Sequence, residues 1–365
     1  MAKEMVSRYI IDGVPQDLTP AQLLSAVSEC PCEDGQADTG TIIDETLDLP
    51  LESFAWAPSK VDDYSVAVES VKRRVPLPFA GTWSRCRVAS AVLDSLWRTG
   101  HFKLEDIALK VDWKWNTTGV GANAAFYDSV QAVSDYTDAL GLKLNSYSFV
   151  RTDGASGFIA RTVLGGSCEE DLFEDGVAAR MGTRRACPSH MEADPRSWLI
   201  WVPFDTSDFR LGGSLLAQAV GAGGGVAPQI TDADYFMDCY EVLRELVEDK
   251  VILSGTTVSD GGLITAVRRM AENGPGITID ISDAVRAFDE DNAVRLLFSE
   301  VPGVVFQIAD IDFDYIDAEF LLQDVAYFPL GHPDPKKSSV RVKSSGKSSI
   351  QTIIESLMQN AEGED

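Results

Sequence analysis

The stretch VSDGGLITAVRRMA, Val258 to Ala271, reads as a polar turn with two adjacent glycines running straight into a helix, and the segment VILSG (251–255) leads into it as a strand. Such a strand–turn–helix unit aims free backbone N–H groups and the positive end of a helix dipole at whatever lies in front of it, which suits a phosphate. A Gly-rich turn also occurs simply where a chain must reverse, so a retained structural hinge and a weak nucleotide site using backbone N–H groups are both open readings of Ser259, Asp260, Gly261 and Gly262.

Working outward, the same alternation continues on both sides. Downstream, ITIDI (277–281), GVVFQI (303–308), VAYFPL (325–330) and SVRVK (339–343) read as strands, with helices at about 290–299 and 313–323. Upstream, SWLIWVPF (197–204) reads as a strand and LGGSLLAQAV (211–220) as a helix. Residues 231–250 form an amphipathic helix with Tyr235, Cys239, Val242 and Leu246 along one stripe. An earlier block has helices at 85–97 and 121–140, with the strands IALKVDWKW (107–115) and FIARTVL (158–164) between and after them. In 7–15 a short strand is expected, followed by a helix that Thr19, Pro20 and Gln22 start as a capping box. The expected organisation is an N-terminal appendage (1–40), a first domain (45–165), a connecting segment (166–195), a mixed α/β second domain (196–345) and an acidic tail (346–365).

Composition narrows the function. The 365 residues carry 31 Lys and Arg against 57 Asp and Glu, a formal charge of −26, which argues against nucleic acid or an anionic membrane as a partner. Neither an apolar run of spanning length nor a signal-type apolar core is present, so a cytoplasmic location is expected. The six cysteines are scattered and only three histidines occur; Cys30-Pro-Cys32 has one intervening residue and no second pair, so no metal site is expected.

Several strings resemble one family. FRLGGSLLAQAV (209–220), LSGTTVSDGGLITAVRRMAENGPGITIDI (253–281), VRLLFSEVPGVVFQI (294–308) and YFPLGH (327–332) are similar to the second aminoimidazole-ribonucleotide-synthase-like half of the large phosphoribosylformylglycinamidine synthases of purine biosynthesis. LEDIALKVDWKWN (104–116), LGLKL (140–144) and DLPLE (48–52) resemble the first domain and linker of that half. The resemblance implies an α+β, two-domain unit, a half-barrel N-terminal domain plus a mixed α/β C-terminal domain. It also implies a family use of ATP or ADP with magnesium, and a first half and a glutaminase domain that these 365 residues do not include.

Carried over residue by residue, the resemblance implies degenerate chemistry. The family's His-Asp before its Ser-Asp-Gly-Gly turn falls on Thr256 and Thr257, so the magnesium carboxylate is missing. A Glu and an Asn that ligate metal fall on Ala91 and Ser95, and a Gly-Gly-Lys-Asp-Ser loop falls on Ser146 to Val150, with Ser148 in place of a charged residue. Glu300 lies where the family also has a glutamate. No catalytic residue, no metal ligand and no cofactor are therefore expected, and the cofactor-facing residues reduce to Ser259, Asp260, Gly261 and Gly262.

Bland readings are favoured for the other candidates. The clusters Asp205, Ser207, Asp208 and Asp310, Asp312, Asp314 lack the Gly and distal Glu of a calcium loop and read as solvated turns and helix starts. Ser214 has no nearby histidine and reads as a helix start; the Lys- and Ser-rich run 336–349 reads as a solvated strand end. Trp83, Trp97, Trp113 and Trp115 cluster in the first domain, and Trp113 and Trp115 share one strand face, a core or an interface. A lone half-barrel leaves a sheet face uncovered, so self-association or a protein partner at that face is expected, with Trp113 and Trp115 as its residues. The functional expectation is a synthase-like chain that is not catalytic by itself; the alternative is a structural or scaffold subunit of a larger assembly.

Overall fold

The computed structural model describes residues 2–29, 40–52, 54–164, 184–206, 209–223 and 225–343. The architecture is α+β, with helices and open sheets and no closed barrel.

At the N-terminus, α1 (Lys3–Val6), β1 (Arg8–Ile11), β2 (Val14–Pro15), α2 (Pro20–Ala26) and β3 (Thr41–Asp44) build a small sheet, β1 lying antiparallel to β2 and parallel to β3. The capping box forms: Gln22 N–H donates to Thr19 Oγ1 at 3.3 Å and Thr19 N–H to Gln22 Oε1 at 2.8 Å. The N-terminal segment packs against the helices that follow. Met5, Tyr9, Leu24 and Val27 are buried in the main core, and the Tyr9 and Tyr127 rings lie 5.0 Å apart.

The next unit comprises α3 (Val61–Ser70), α4 (Ala80–Leu96), β4 (Ile107–Trp115), α5 (Ala122–Ala139), β5 (Lys143–Arg151) and β6 (Gly157–Leu164). Its sheet has the order β5-β4-β6, with β4 parallel to β5 and antiparallel to β6. β4 alternates cleanly, Val111, Trp113 and Trp115 buried and Lys110 and Lys114 exposed, because only one face is covered by helices. Trp113 and Trp115 lie on the covered face of this pleat. Both side chains are buried, meet the Phe126 ring edge-on (Trp113) or tilted (Trp115), and spend their indole N–H groups internally, on Ser129 Oγ at 2.9 Å and the Ala122 carbonyl at 2.8 Å. The opposite face presents Lys110, Asp112, Lys114, Ser148, Val150 and Ile159.

The remaining elements are β7 (Trp198–Pro203), α6 (Leu215–Val220), α7 (Ala233–Glu248), β8 (Ile252–Val258), α8 (Gly262–Met270), β9 (Gly276–Asp280), α9 (Ser282–Ala287), α10 (Ala293–Phe298), β10 (Gly303–Ile308), α11 (Phe313–Leu322), β11 (Phe328–Gly331), β12 (Pro333–Asp334) and β13 (Val340–Lys343). An antiparallel sheet of order β11-β7-β10-β8 is the centre, and β12-β9-β13 forms a smaller one. β10 is buried along its whole length because both faces are covered. Val304, Phe306 and Ile308 join a core shared with α4, α5 and α7, whereas Val305 joins a second core with α8, α10 and β9. The first unit and the central sheet thus share one hydrophobic core.

Asp44, at the end of β3, ties the N-terminal sheet to α5. Its carboxylate accepts the N–H groups of Gly121, Asn123 and Ala124 at 2.8–3.1 Å, at the positive end of the helix. Partial burial pushes the carboxyl pKa up, but these donors and the Glu45 N–H outweigh it and hold it below the usual carboxylate range. A carboxyl with a depressed folded-state pKa stabilises above its unfolded value, near pH 4, and loses that contribution as pH falls further. Asp44→Asn is therefore expected to cost about 1 kcal/mol at pH 7, with the difference from wild type shrinking below about pH 4 in urea titrations. Trp113→Ala is expected to lower stability by about 3–5 kcal/mol, with the variant's sedimentation coefficient unchanged.

Candidate functional site

β8 ends at Val258 and delivers the turn to the start of α8. Gly261 and Gly262 have φ of +78° and +72°, the left-handed region that a side chain strains. A Cβ at Gly262 would lie 2.6 Å from the Leu297 carbonyl oxygen and 2.7 Å from the Phe298 backbone. The second glycine is thus required by the approach of α8 to the end of α10.

Two of the N–H groups that such a turn presents, those of Gly261 and Gly262, are already engaged. Glu300, 2% exposed, lies between the starts of α6 and α8, and its Oε1 accepts the N–H groups of both Leu215 and Gly261 at 2.9 Å. Its Oε2 accepts from Arg87 Nη2 at 3.2 Å. Arg87 is a buried guanidinium on α4; its Nη1 pairs with Asp260, which also receives Arg73 Nη1 at 2.5 Å. The Arg73 and Arg87 guanidinium carbons sit 4.9 and 5.0 Å from the Trp83 ring centroid. Burial pushes the Glu300 pKa up while the Arg87 charge pulls against it. Burial would lower Arg87, but Asp260 and Glu300 outweigh it and keep the guanidinium protonated. Two carboxylates thus face two guanidiniums.

The structure brings Asp260, Gly261, Gly262 and Glu300 together and places Ser259 at the rim, its carbonyl accepting the Gly262 N–H at 2.9 Å. Thr257 donates to Asp94 Oδ1 at 2.6 Å and accepts from Trp97 Nε1 at 3.0 Å. Ala91 is buried, and Ser95 shares a hydrogen bond with Tyr240 at 2.8 Å. Ser148 lies on the outer face of β5, bonded to Asp112 at 2.6 Å, and lines a cavity with Arg73 and Trp83. Ser214 caps α6, accepting the Ala217 N–H at 3.2 Å. Asp205 accepts the Thr231 N–H at 2.6 Å, and Asp310 accepts from Trp198 Nε1 at 2.9 Å. Cys30, Cys32, Ser207 and Asp208 lie outside the described residues. Among the described residues no three His, Cys, Asp or Glu side chains converge as a metal site would need.

The sequence reading missed Arg73, Arg87 and Asp94. Arg87 had a signal, an arginine one helical turn before Ala91 in a helix whose other residues are mostly small or apolar, which requires a carboxylate partner if buried. A cleft of about 960 Å³ opens beside the turn, lined by Val68, Arg73, Asp260, Thr265 and Arg268. A phosphate at the turn would meet Glu300 on its N–H donors and Asp260 beside them. The adjoining cleft also carries Arg73, Arg268, Arg269 and Arg341, so acidic and basic groups both face it. Removing Arg87 leaves two carboxylates without their shared cation. Arg87→Ala is expected to lower stability by about 3–5 kcal/mol in chemical denaturation. Arg73→Ala, at the solvent edge, is expected to cost no more than about 1 kcal/mol; equal losses would contradict this ranking.

Comparison with known proteins places this geometry. Residues 205–312 match the family described as AIR synthase related protein, C-terminal domain. Over 249 residues the chain is 25% identical to phosphoribosylformylglycinamidine synthase of Drosophila melanogaster, and over 237 residues 24% identical to that of Homo sapiens. Each alignment covers 63% of this chain but only 18% and 17% of those proteins, so the chain spans less than a fifth of the curated relatives it matches. Among solved structures, Thermotoga maritima PurL complexed with FGAR superposes with a TM-score of 0.50 at 11% identity, covering 75% of this chain and 42% of that one, a likeness of fold. The chain is thus similar in sequence to the AIR synthase related C-terminal domain over 205–312 and to the phosphoribosylformylglycinamidine synthases over 63% of its length, and its fold is like that of PurL.

Proposed function

We propose that this is a phosphoribosylformylglycinamidine synthase-like chain of purine biosynthesis that does not carry out ATP- and glutamine-dependent amidation by itself. The observation that carries the reading is the position of Glu300. Its Oε1 takes the N–H groups of both Gly261 and Leu215, where an anionic ligand would need them. The resemblance supplies the class of reaction, and Thr257, Ala91, Ser95 and Ser148 at the matched positions supply no carboxylate or cation for a metal-bound polyphosphate.

A second reading, a structural or scaffold subunit of a larger assembly, is favoured by the uncovered face of the β5-β4-β6 sheet, where Val150 and Ile159 are exposed. In this reading the chain works in the cytoplasm and joins a copy of itself or another protein through that face. Among the described residues no helix is long and apolar enough to cross a membrane.

Calorimetry with ADP, with and without magnesium, tests the first reading. No saturable heat is expected in either condition, and no amidotransferase turnover by the chain alone. Micromolar ADP binding abolished by a chelator would overturn it.

A further inference from the structure

Four exposed large apolar side chains, Ile311, Tyr315, Leu321 and Leu322, lie within twelve consecutive residues. The single 3₁₀ turn Asp310–Asp312 runs directly into α11, which buries only Ile316 and Phe320. On the solvent side, Ile311 is 88%, Tyr315 45% and Leu322 76% exposed, and Leu321 is 71% exposed beside them. Ile311, Tyr315, Ala318 and Leu322 are separated by four, three and four residues, the spacing of a single stripe along a helix. The stripe is roughly 16 Å long at 1.5 Å per residue, three turns of helix. Leaving such a stripe in water forgoes the burial that apolar side chains at this spacing otherwise obtain.

Carboxylates border the stripe. Asp312 and Glu319 lie on one side and Asp314 on the other by helical position. Glu245 and Asp249, from the end of α7, approach Tyr315; slight burial and then Glu319, Asp249 and Glu245 raise its phenol pKa. On that side Arg244 pairs with Glu245 at 3.4 Å, as well as with Glu241 and Glu248, and Lys250 follows Asp249. Asp310 and Asp317 are engaged internally, by Trp198 and Tyr327.

We infer that the Ile311–Tyr315–Ala318–Leu322 stripe is a docking surface for a basic amphipathic helix of another protein, one whose apolar i, i+3, i+4, i+7 residues are flanked by Lys or Arg. Helix-on-helix recognition takes its affinity from the apolar seam and its choice of partner from the flanking charges. An acidic rim repels a second copy of the same surface, so the occupant is a chain of opposite charge.

The test uses the full chain and a labelled peptide of about 18 residues, leucines at i, i+3, i+4 and i+7 and lysines elsewhere, followed by fluorescence anisotropy. One-to-one binding that weakens as salt rises is expected, with at least about a tenfold loss of affinity in an Ile311→Ser/Leu322→Ser variant. That variant changes no charge and removes only exposed side chains, and its unfolding midpoint should match wild type. Undiminished binding by the variant, or equal binding of a proline-broken peptide of the same charge, would reduce the effect to unspecific attraction and overturn the inference. So would a wild-type dimer that the same variant dissociates, because a second copy would then cover the stripe.

Discussion

The architecture around the turn depends on one buried carboxylate shared by three elements. Glu300 accepts from the first turns of α6 and α8 and from Arg87 on α4. Its two oxygens therefore fix the distance between the helices of the second unit and the longest helix pair of the first. Burial, with Asp260 nearby, raises the Glu300 pKa, and two backbone N–H groups and the Arg87 guanidinium pull against that rise. Arg87 is held in turn by Asp260, so its guanidinium bridges the two carboxylates. Such networks are intolerant of partial loss, which localises stability at the junction of the two units.

The same solution recurs along the chain. Helix N-termini expose unsatisfied donors, and this protein meets several of them with carboxylates drawn from distant segments or from the cap itself. Asp44 reaches α5 from the N-terminal sheet, Glu300 serves α6 and α8, and Asp232 caps α7 through the Tyr235 N–H. In a chain of net charge −26 these contacts put negative charge where the helix dipoles favour it. They also leave the start of α5 bonded, and at the start of α8 they occupy the Gly261 N–H.

Much of the fold was legible because burial left periodic traces. β4 alternates since one face is solvated, and α7 carries a narrow apolar stripe since one side is covered. β5 went unread as a strand because it loses alternation after Leu144 and sits at a sheet edge. α3 went unread because Asp62, Asp63 and Glu69 dilute its few buried residues, Tyr64, Ser65 and Val68. The glycine pair was legible in the candidate site, whereas its occupant was not: Arg87 and Glu300 are 213 residues apart, and no local pattern reports that they meet. For Trp113 and Trp115, alternation established a shared face but not that this face is the inner one. The N-terminal segment read as separate because its contacts with α5 are long-range.

Amide hydrogen exchange at Gly261 and Leu215 tests the central claim most directly. First-turn amides of helices ordinarily lack an intrahelical acceptor and exchange quickly. With Glu300 as their acceptor, both are expected to exchange only through opening of the surrounding structure, with protection comparable to the amides of β10. Exchange of either amide near the rate of an unstructured peptide would show that Glu300 does not hold the turn, and would contradict the account.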